Sequence, residues 1–189
     1  VWPASLRQLS LGNDFNQPIA GAVWPPSLRE LSFGHWFNQP ISGVVWPDSL
    51  QQLYLGHHFN KPLAGVVWPA SIQQLSFGDF NQPVAGATWP ASLLDLSFGD
   101  RFDQPILLVL RHQWRRIWWE TADPQRLSPG ACWEASNPQR LSLGPCFNQL
   151  LLAVVWPASL KQLSFGRDFN QPIARLVWPP ALQRLAFGS

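Results

Sequence analysis

Apolar positions recur in this chain at an interval longer than any single helix or strand produces. Residues 155–173 read Val-Trp-Pro-Ala-Ser-Leu-Lys-Gln-Leu-Ser-Phe-Gly-Arg-Asp-Phe-Asn-Gln-Pro-Ile. The alternation Leu163, Ser164, Phe165 has the period of two of a short strand. It points Leu163 and Phe165 inward and Gln162 and Ser164 outward. Gly166 ends the strand and turns the chain, and Phe169 and Ile173 return to the core. Pro157 and Pro172 forbid a long helix on the return path. Each unit therefore predicts one strand plus an extended or single-turn return.

The unit repeats. Trp-Pro begins at Trp2, Trp24, Trp46, Trp68, Trp89, Trp156 and Trp178, with first spacings of 22, 22, 22 and 21 and one gap of 67. A second landmark keeps step: Phe15 to Ile19, Phe37 to Ile41, Phe59 to Leu63, Phe80 to Val84, Phe102 to Ile106, Phe147 to Leu150 (without its Pro) and Phe169 to Ile173. The segment Leu160-x-x-Leu163-x-Phe165 matches the core pattern of leucine-rich repeats, whose period is ~20–29 residues. One such coil cannot bury its apolar edge, whereas stacked coils can. The pattern predicts a parallel strand ladder with ~4.8 Å between neighbours, in which Trp, Leu and Phe stack as columns. Asn16, Asn38, Asn60, Asn81 and Asn170 are expected to hydrogen-bond turn backbone between coils, because buried turns must satisfy their polar groups.

The unit Trp-Pro-x-Ser-Leu-x-x-Leu-x-Phe-Gly-x-x-Phe-Asn-Gln-Pro-Ile resembles the FNIP repeat, a leucine-rich-repeat-like family, over residues 1–106 and 138–189. Members commonly carry Leu before the Pro, where this chain has Trp. The resemblance implies a curved protein-binding solenoid. Some members carry an F-box ahead of the repeats, which implies a substrate receptor of a ubiquitin ligase. Residues 1–189 contain no F-box, so that role depends on one outside them. The expected fold is thus a β-rich, right-handed solenoid of about eight 22-residue coils. The end coils carry no polar cap, which reads as a piece of a longer array.

Residues 107–137 break the pattern. Leu107, Leu110, Trp114, Ile117 and Trp118 fall on one face at helical spacing, with Arg111, His112, Arg115 and Arg116 off it. Trp119-Glu-Thr-Ala-Asp-Pro-Gln-Arg-Leu-Ser then recurs from Trp133 as Trp-Glu-Ala-Ser-Asn-Pro-Gln-Arg-Leu-Ser, 14 residues later. Three readings stay open: an insertion or decayed repeat, a shift of reading frame, and a short basic amphipathic helix.

Composition narrows the function. The net charge is +2 and charged residues make up 13%, which argues against a strongly basic nucleic-acid binder. No apolar run reaches the ~18 residues of a membrane span, and no leader pattern opens the chain. Two cysteines, Cys132 and Cys146, make no disulfide framework, and the chain reads as cytoplasmic. His35, His57 and His58 occupy the Gly-x-x turns of successive coils. Their slot elsewhere holds Asn13-Asp14, Asp79, Asp100-Arg101 and Arg167-Asp168, so it reads as a solvated turn and no metal is assigned. Glu30 and Asp95 lie three coils apart, roughly 14 Å by strand spacing, too far to share one bond. The recurring Ser of the strands has no His or acid set beside it. No phosphate loop is present. These readings assign no catalytic residue, no cofactor and no enzyme activity.

The outward strand slots read Gln8 and Ser10, Glu30 and Ser32, Gln52 and Tyr54, Gln74 and Ser76, Asp95 and Ser97, Gln162 and Ser164, and Arg184 with Ala186. Arg7, Arg29 and Lys161 border the row. Such a ladder forms the concave face of a solenoid, its usual binding surface. Tyr54, the single tyrosine, interrupts a Ser column and is the expected anchor. The expected function is a non-catalytic scaffold that binds a protein partner there, without nucleic acid or membrane. The alternative is a structural array that associates end to end through its open strands.

Overall fold

The computed structural model describes residues 2–84, 87–106, 138–151, 154, 156–174 and 176–188. These residues form one parallel sheet of eight short strands in chain order. They are β1 Gln8–Ser10, β2 Glu30–Ser32, β3 Gln52–Tyr54, β4 Gln74–Ser76, β5 Asp95–Ser97, β6 Arg140–Ser142, β7 Gln162–Phe165 and β8 Arg184–Phe187. The register places repeat residue on repeat residue: Gln8 beside Glu30, Leu31 beside Leu53, Tyr54 beside Ser76, and Asp95 beside Arg140. No helix occurs among the described residues. The ladder makes about six solenoid turns, fewer than the eight coils expected, and the step from β5 to β6 runs through 107–137. The helical spacing, the paired Trp119 and Trp133 segments, His112 and Cys132 lie outside the described residues.

Each return path bends at short turns, as its prolines require. In the second coil Leu28 N–H donates to Pro25 O at 3.1 Å, Phe37 N–H to Gly34 O at 3.3 Å, and Val44 N–H to Ile41 O at 3.3 Å. Each bond joins residue i to residue i+3, a single four-residue turn that needs none of the continuing helical hydrogen bonds proline would break. Gly99 combines a positive φ of 75° with a close approach between coils: a Cβ there would fall on the carbonyl of Gly78. Only glycine meets both demands.

The core is a set of columns along the stack. Leu31, Leu53, Leu75, Leu96, Leu141 and Leu163 form the inward row of the ladder and are all buried. Phe37, Phe59, Phe80, Phe102, Phe147 and Phe169 stack at centroid distances of 6.0–6.3 Å. The strand-end Phe98 packs on Phe102 at 4.2 Å. The Trp residues belong to this core. Trp46, Trp68, Trp89 and Trp156 are buried, and Trp24 stacks on Trp46 at 6.0 Å. The end coils leave the same columns more open, with Trp2 44% and Phe187 42% exposed.

The asparagine expectation holds and extends. Asn16 Oδ1 accepts Asn38 N–H at 3.0 Å, Asn38 Oδ1 accepts Asn60 N–H at 3.0 Å, and Asn60 Oδ1 accepts Asn81 N–H at 2.8 Å. The row continues through Asp103 and Asn148 to Asn170. A second row was not apparent from the pattern: Ser49, Ser71 and Ser92 hydroxyls donate to the carbonyls of Leu28, Leu50 and Ile72, each at 2.6 Å. One equivalence shifts by a residue. Leu151 is buried whereas Leu150 is 54% exposed, so Leu150 stands in the missing Pro slot and Leu151 replaces Ile.

Candidate protein-interaction face

The outward positions of the strands form one continuous surface because the register is unbroken from β1 to β8. The first outward slot carries Gln8, Glu30, Gln52, Gln74, Asp95, Arg140, Gln162 and Arg184, and the second carries Ser10, Ser32, Tyr54, Ser76, Ser97, Ser142, Ser164 and Ala186. All the expected ladder residues lie on this face. Arg140 and Ser142 also lie there and were missed, because the irregular segment before them removes the Trp-Pro landmark. Two shallow troughs cover the surface. One of about 450 Å³ spans Gln74 to Ala186, and one of about 440 Å³ spans Gln8 to Ser76 with Tyr54 in its wall.

Neighbouring strands exchange side-chain contacts across the ladder. Gln8 Nε2 donates to Glu30 Oε2 at 2.9 Å, and Gln74 Nε2 donates to Asp95 Oδ2 at 3.3 Å. Arg140 Nε donates to Asp95 Oδ1 at 2.5 Å. Asp95 is therefore held from both sides. Tyr54 is 37% exposed. Partial burial pushes its phenol above the ordinary value of 10.0, and the Asp100 and Asp79 carboxylates push it further. A neutral, half-exposed phenol beside glutamine and serine suits contact with a partner's polar backbone.

The turn edge differs from the expected solvated slot at one residue. His35, His57 and His58 do come together, with His35 stacked on His57 at 4.7 Å and Trp36 stacked on His58 at 4.4 Å. Asp79, by contrast, is buried. Only one residue separates Gly78 from Phe80, where most coils have two, and the shorter turn draws the carboxylate inward. It lies 3.4 Å from His58 Nδ1, 3.7 Å from His57 Nε2 and 3.3 Å from Arg101 Nε. Among the described residues no group of three His, Cys, Asp or Glu side chains is arranged to hold a metal ion. Cys146 has its thiol pushed up by burial and by Asp168, which disfavours the nucleophilic thiolate. Glu30 and Asp95 sit on β2 and β5 and form no pair.

The FNIP repeat profile matches residues 2–35, 37–79 and 147–189. The chain belongs to the FNIP repeat family. A crystal structure, CroV588, described as a novel circular LRR protein structure, superposes with a TM-score of 0.79 at 37% sequence identity. The match covers 99% of this FNIP-repeat chain and 24% of that protein, so the chain spans about a quarter of its relative's length. No curated protein matches. Both comparisons support the leucine-rich-repeat-like solenoid. Among the described residues no helix is long and apolar enough to cross a membrane.

Proposed function

We propose that this FNIP-repeat solenoid is a non-catalytic scaffold that binds a protein partner along its strand ladder. One observation supports the reading: the outward slots form an unbroken face of exposed and half-buried side chains with two troughs, while the same strands hold the core from their other side. Tyr54 is the proposed anchor, flanked by Gln52 and by the Ser32 and Ser76 rungs. The test is selection of peptides from a random library displayed on phage, using the 189-residue chain as bait. Binders are expected to lose affinity for the double variant Gln52→Ala, Tyr54→Ala while its melting temperature stays put. Binders that ignore the double variant and every other ladder substitution would end this reading.

A second reading, a self-associating array, draws support from the exposed Trp2, Ile173, Leu185 and Phe187 of the end coils and from the circular form of the relative. Light scattering of the 189-residue chain separates the two. Mass that grows with concentration favours association, and a constant monomer mass removes it. A role as substrate receptor of a ubiquitin ligase needs an F-box and would rest on the same ladder.

A further inference from the structure

Charge is sorted across this molecule. Among the described residues the bases are Arg7, Arg29, Lys61, Arg101, Arg140, Lys161, Arg167 and Arg184, and five of these eight border or stand on the ladder. Of the eight described acids only Glu30 and Asp95 do so. The turn edge is the reverse: Asp14, Asp79, Asp100 and Asp168 lie there with Arg101 and Arg167. The two ladder acids are already engaged, Asp95 by Arg140 and Glu30 by Gln8. Arg7, Arg29 and Arg184 are exposed and pair with no carboxylate among the described residues, and Lys161 Nζ donates only to Gln139 Oε1 at 3.2 Å. The ladder thus keeps an excess of unpaired cations at its two ends, beside β1–β2 and at β7–β8, over a floor rich in Gln and Ser.

We infer that the partner segment taken by the ladder is acidic and extended, its carboxylates meeting Arg7, Arg29, Lys161 and Arg184. The inference rests on the scaffold reading and names the chemistry of its partner. Exposed cations stand at both ends of the ladder, Arg7 and Arg29 at one and Lys161 and Arg184 at the other; guanidinium groups bind carboxylates with two parallel hydrogen bonds, and a face of net positive charge steers an oppositely charged partner to it. Eight strands at ~4.8 Å span ~34 Å, the length of an extended peptide of roughly ten residues.

The test uses a fluorescein-labelled glutamate peptide of roughly ten residues, titrated with the 189-residue chain and followed by anisotropy at low and high salt. Binding at low salt that weakens as salt rises is expected, with no binding of a lysine peptide of equal length. The variant Lys161→Gln, Arg184→Gln should weaken it at least about fivefold. The control Lys61→Gln, Arg167→Gln removes the same charge away from the ladder and should leave it unchanged. Equal loss in both variants, or no binding at low salt, overturns the inference. So does an oligothymidylate that binds as tightly and is released by the same ladder variant, since the face would then be a general polyanion surface. A salt-sensitive dimer dispersed by the ladder variant would overturn it too, with a second copy's acidic turn edge as the occupant. Failure here is distinguishable from failure of the scaffold itself. Phage-selected peptides that need Tyr54 but carry no excess of Asp and Glu remove the acidic partner and keep the ladder.

Discussion

The asparagine row inside the turns and the first outward slot of the ladder repeat at the same interval, yet they accept change differently. The inner row reads Asn16, Asn38, Asn60, Asn81, Asp103, Asn148 and Asn170, and its one departure, Asp103, keeps the Oδ1 that accepts Asn148 N–H at 2.9 Å. The outward slot reads Gln, Glu, Gln, Gln, Asp, Arg, Gln and Arg along the same coils. The difference lies in what each side chain must satisfy. An inner Oδ1 is the acceptor for a backbone N–H of the next coil, and an orphaned part-buried N–H carries a full desolvation penalty. An outward side chain answers only to its neighbours and to solvent, so its chemistry is free for recognition.

The largest contrast should come from the column that fills the core. Phe102 is fully buried, stacked between Phe80 and Phe147 and packed on Phe98. Phe102→Ala is expected to cost ~3–5 kcal/mol, because a cavity at the centre of a stacked column cannot close without shifting both neighbours. Denaturant unfolding measures it. A loss below ~1 kcal/mol would mean that the coils relax independently and that the column is no unit.

The inner row gives the next largest effect and a sharper one. Asn81 Oδ1 accepts both Asp103 N–H at 3.0 Å and Gln104 Nε2 at 2.9 Å. Asn81→Ala should destabilise by ~1–3 kcal/mol through those abandoned donors. Asn81→Asp keeps the acceptor and should cost clearly less, as Asp103 does the same work one coil later. Equal losses for the two variants, again by denaturant unfolding, would show that size rather than hydrogen bonding fixes the row.

Ladder substitutions should sit at the small end. Arg140 and Asp95 are 60% and 24% exposed, so Arg140→Gln is expected to change stability by no more than ~1 kcal/mol. Thermal melts of Arg140→Gln, Asp95→Asn and the double variant isolate the pair. A larger coupling would turn the β5–β6 junction into a structural clamp rather than part of an open face.

Most of the architecture was legible because repetition states it many times. Trp-Pro and Phe-Asn-Gln fix the coil length, and the strand register follows once Leu must stack on Leu. The losses fall where one coil departs from the rest. Arg140 went unassigned because the segment before it carries no Trp-Pro. Asp79 was read as a solvated turn because its slot is polar in other coils, while the missing residue after Gly78 shortens the loop and buries it. Leu150 was taken for the core residue because three leucines follow Gln149 and the absent Pro removed the marker between them. The Ser49 and Ser71 hydroxyls follow a Trp-Pro turn whose geometry alone aims them at the preceding coil. The candidate face was visible as a set of outward slots, but its charge sorting was not, since that depends on which bases find carboxylates in three dimensions.

The smallest effect tests the joint between the two regions, because Tyr54 stands on the ladder yet feels carboxylates of the turn edge. It is the chain's one tyrosine, so phenolate absorbance near ~295 nm should report it alone, with a midpoint above the ordinary phenol value. Burial is the first cause, with Asp100 and Asp79 adding to it. A raised phenol favours the neutral form in the folded chain. The stability linked to it is therefore full below the unfolded value of 10.0 and is lost as pH rises from there through the folded value. Asp100→Asn should move the midpoint back toward 10.0 without abolishing the shift, since burial remains. A midpoint at the unperturbed value in the native chain would separate Tyr54 from the turn edge, and the ladder and the acidic rim would then act as independent surfaces.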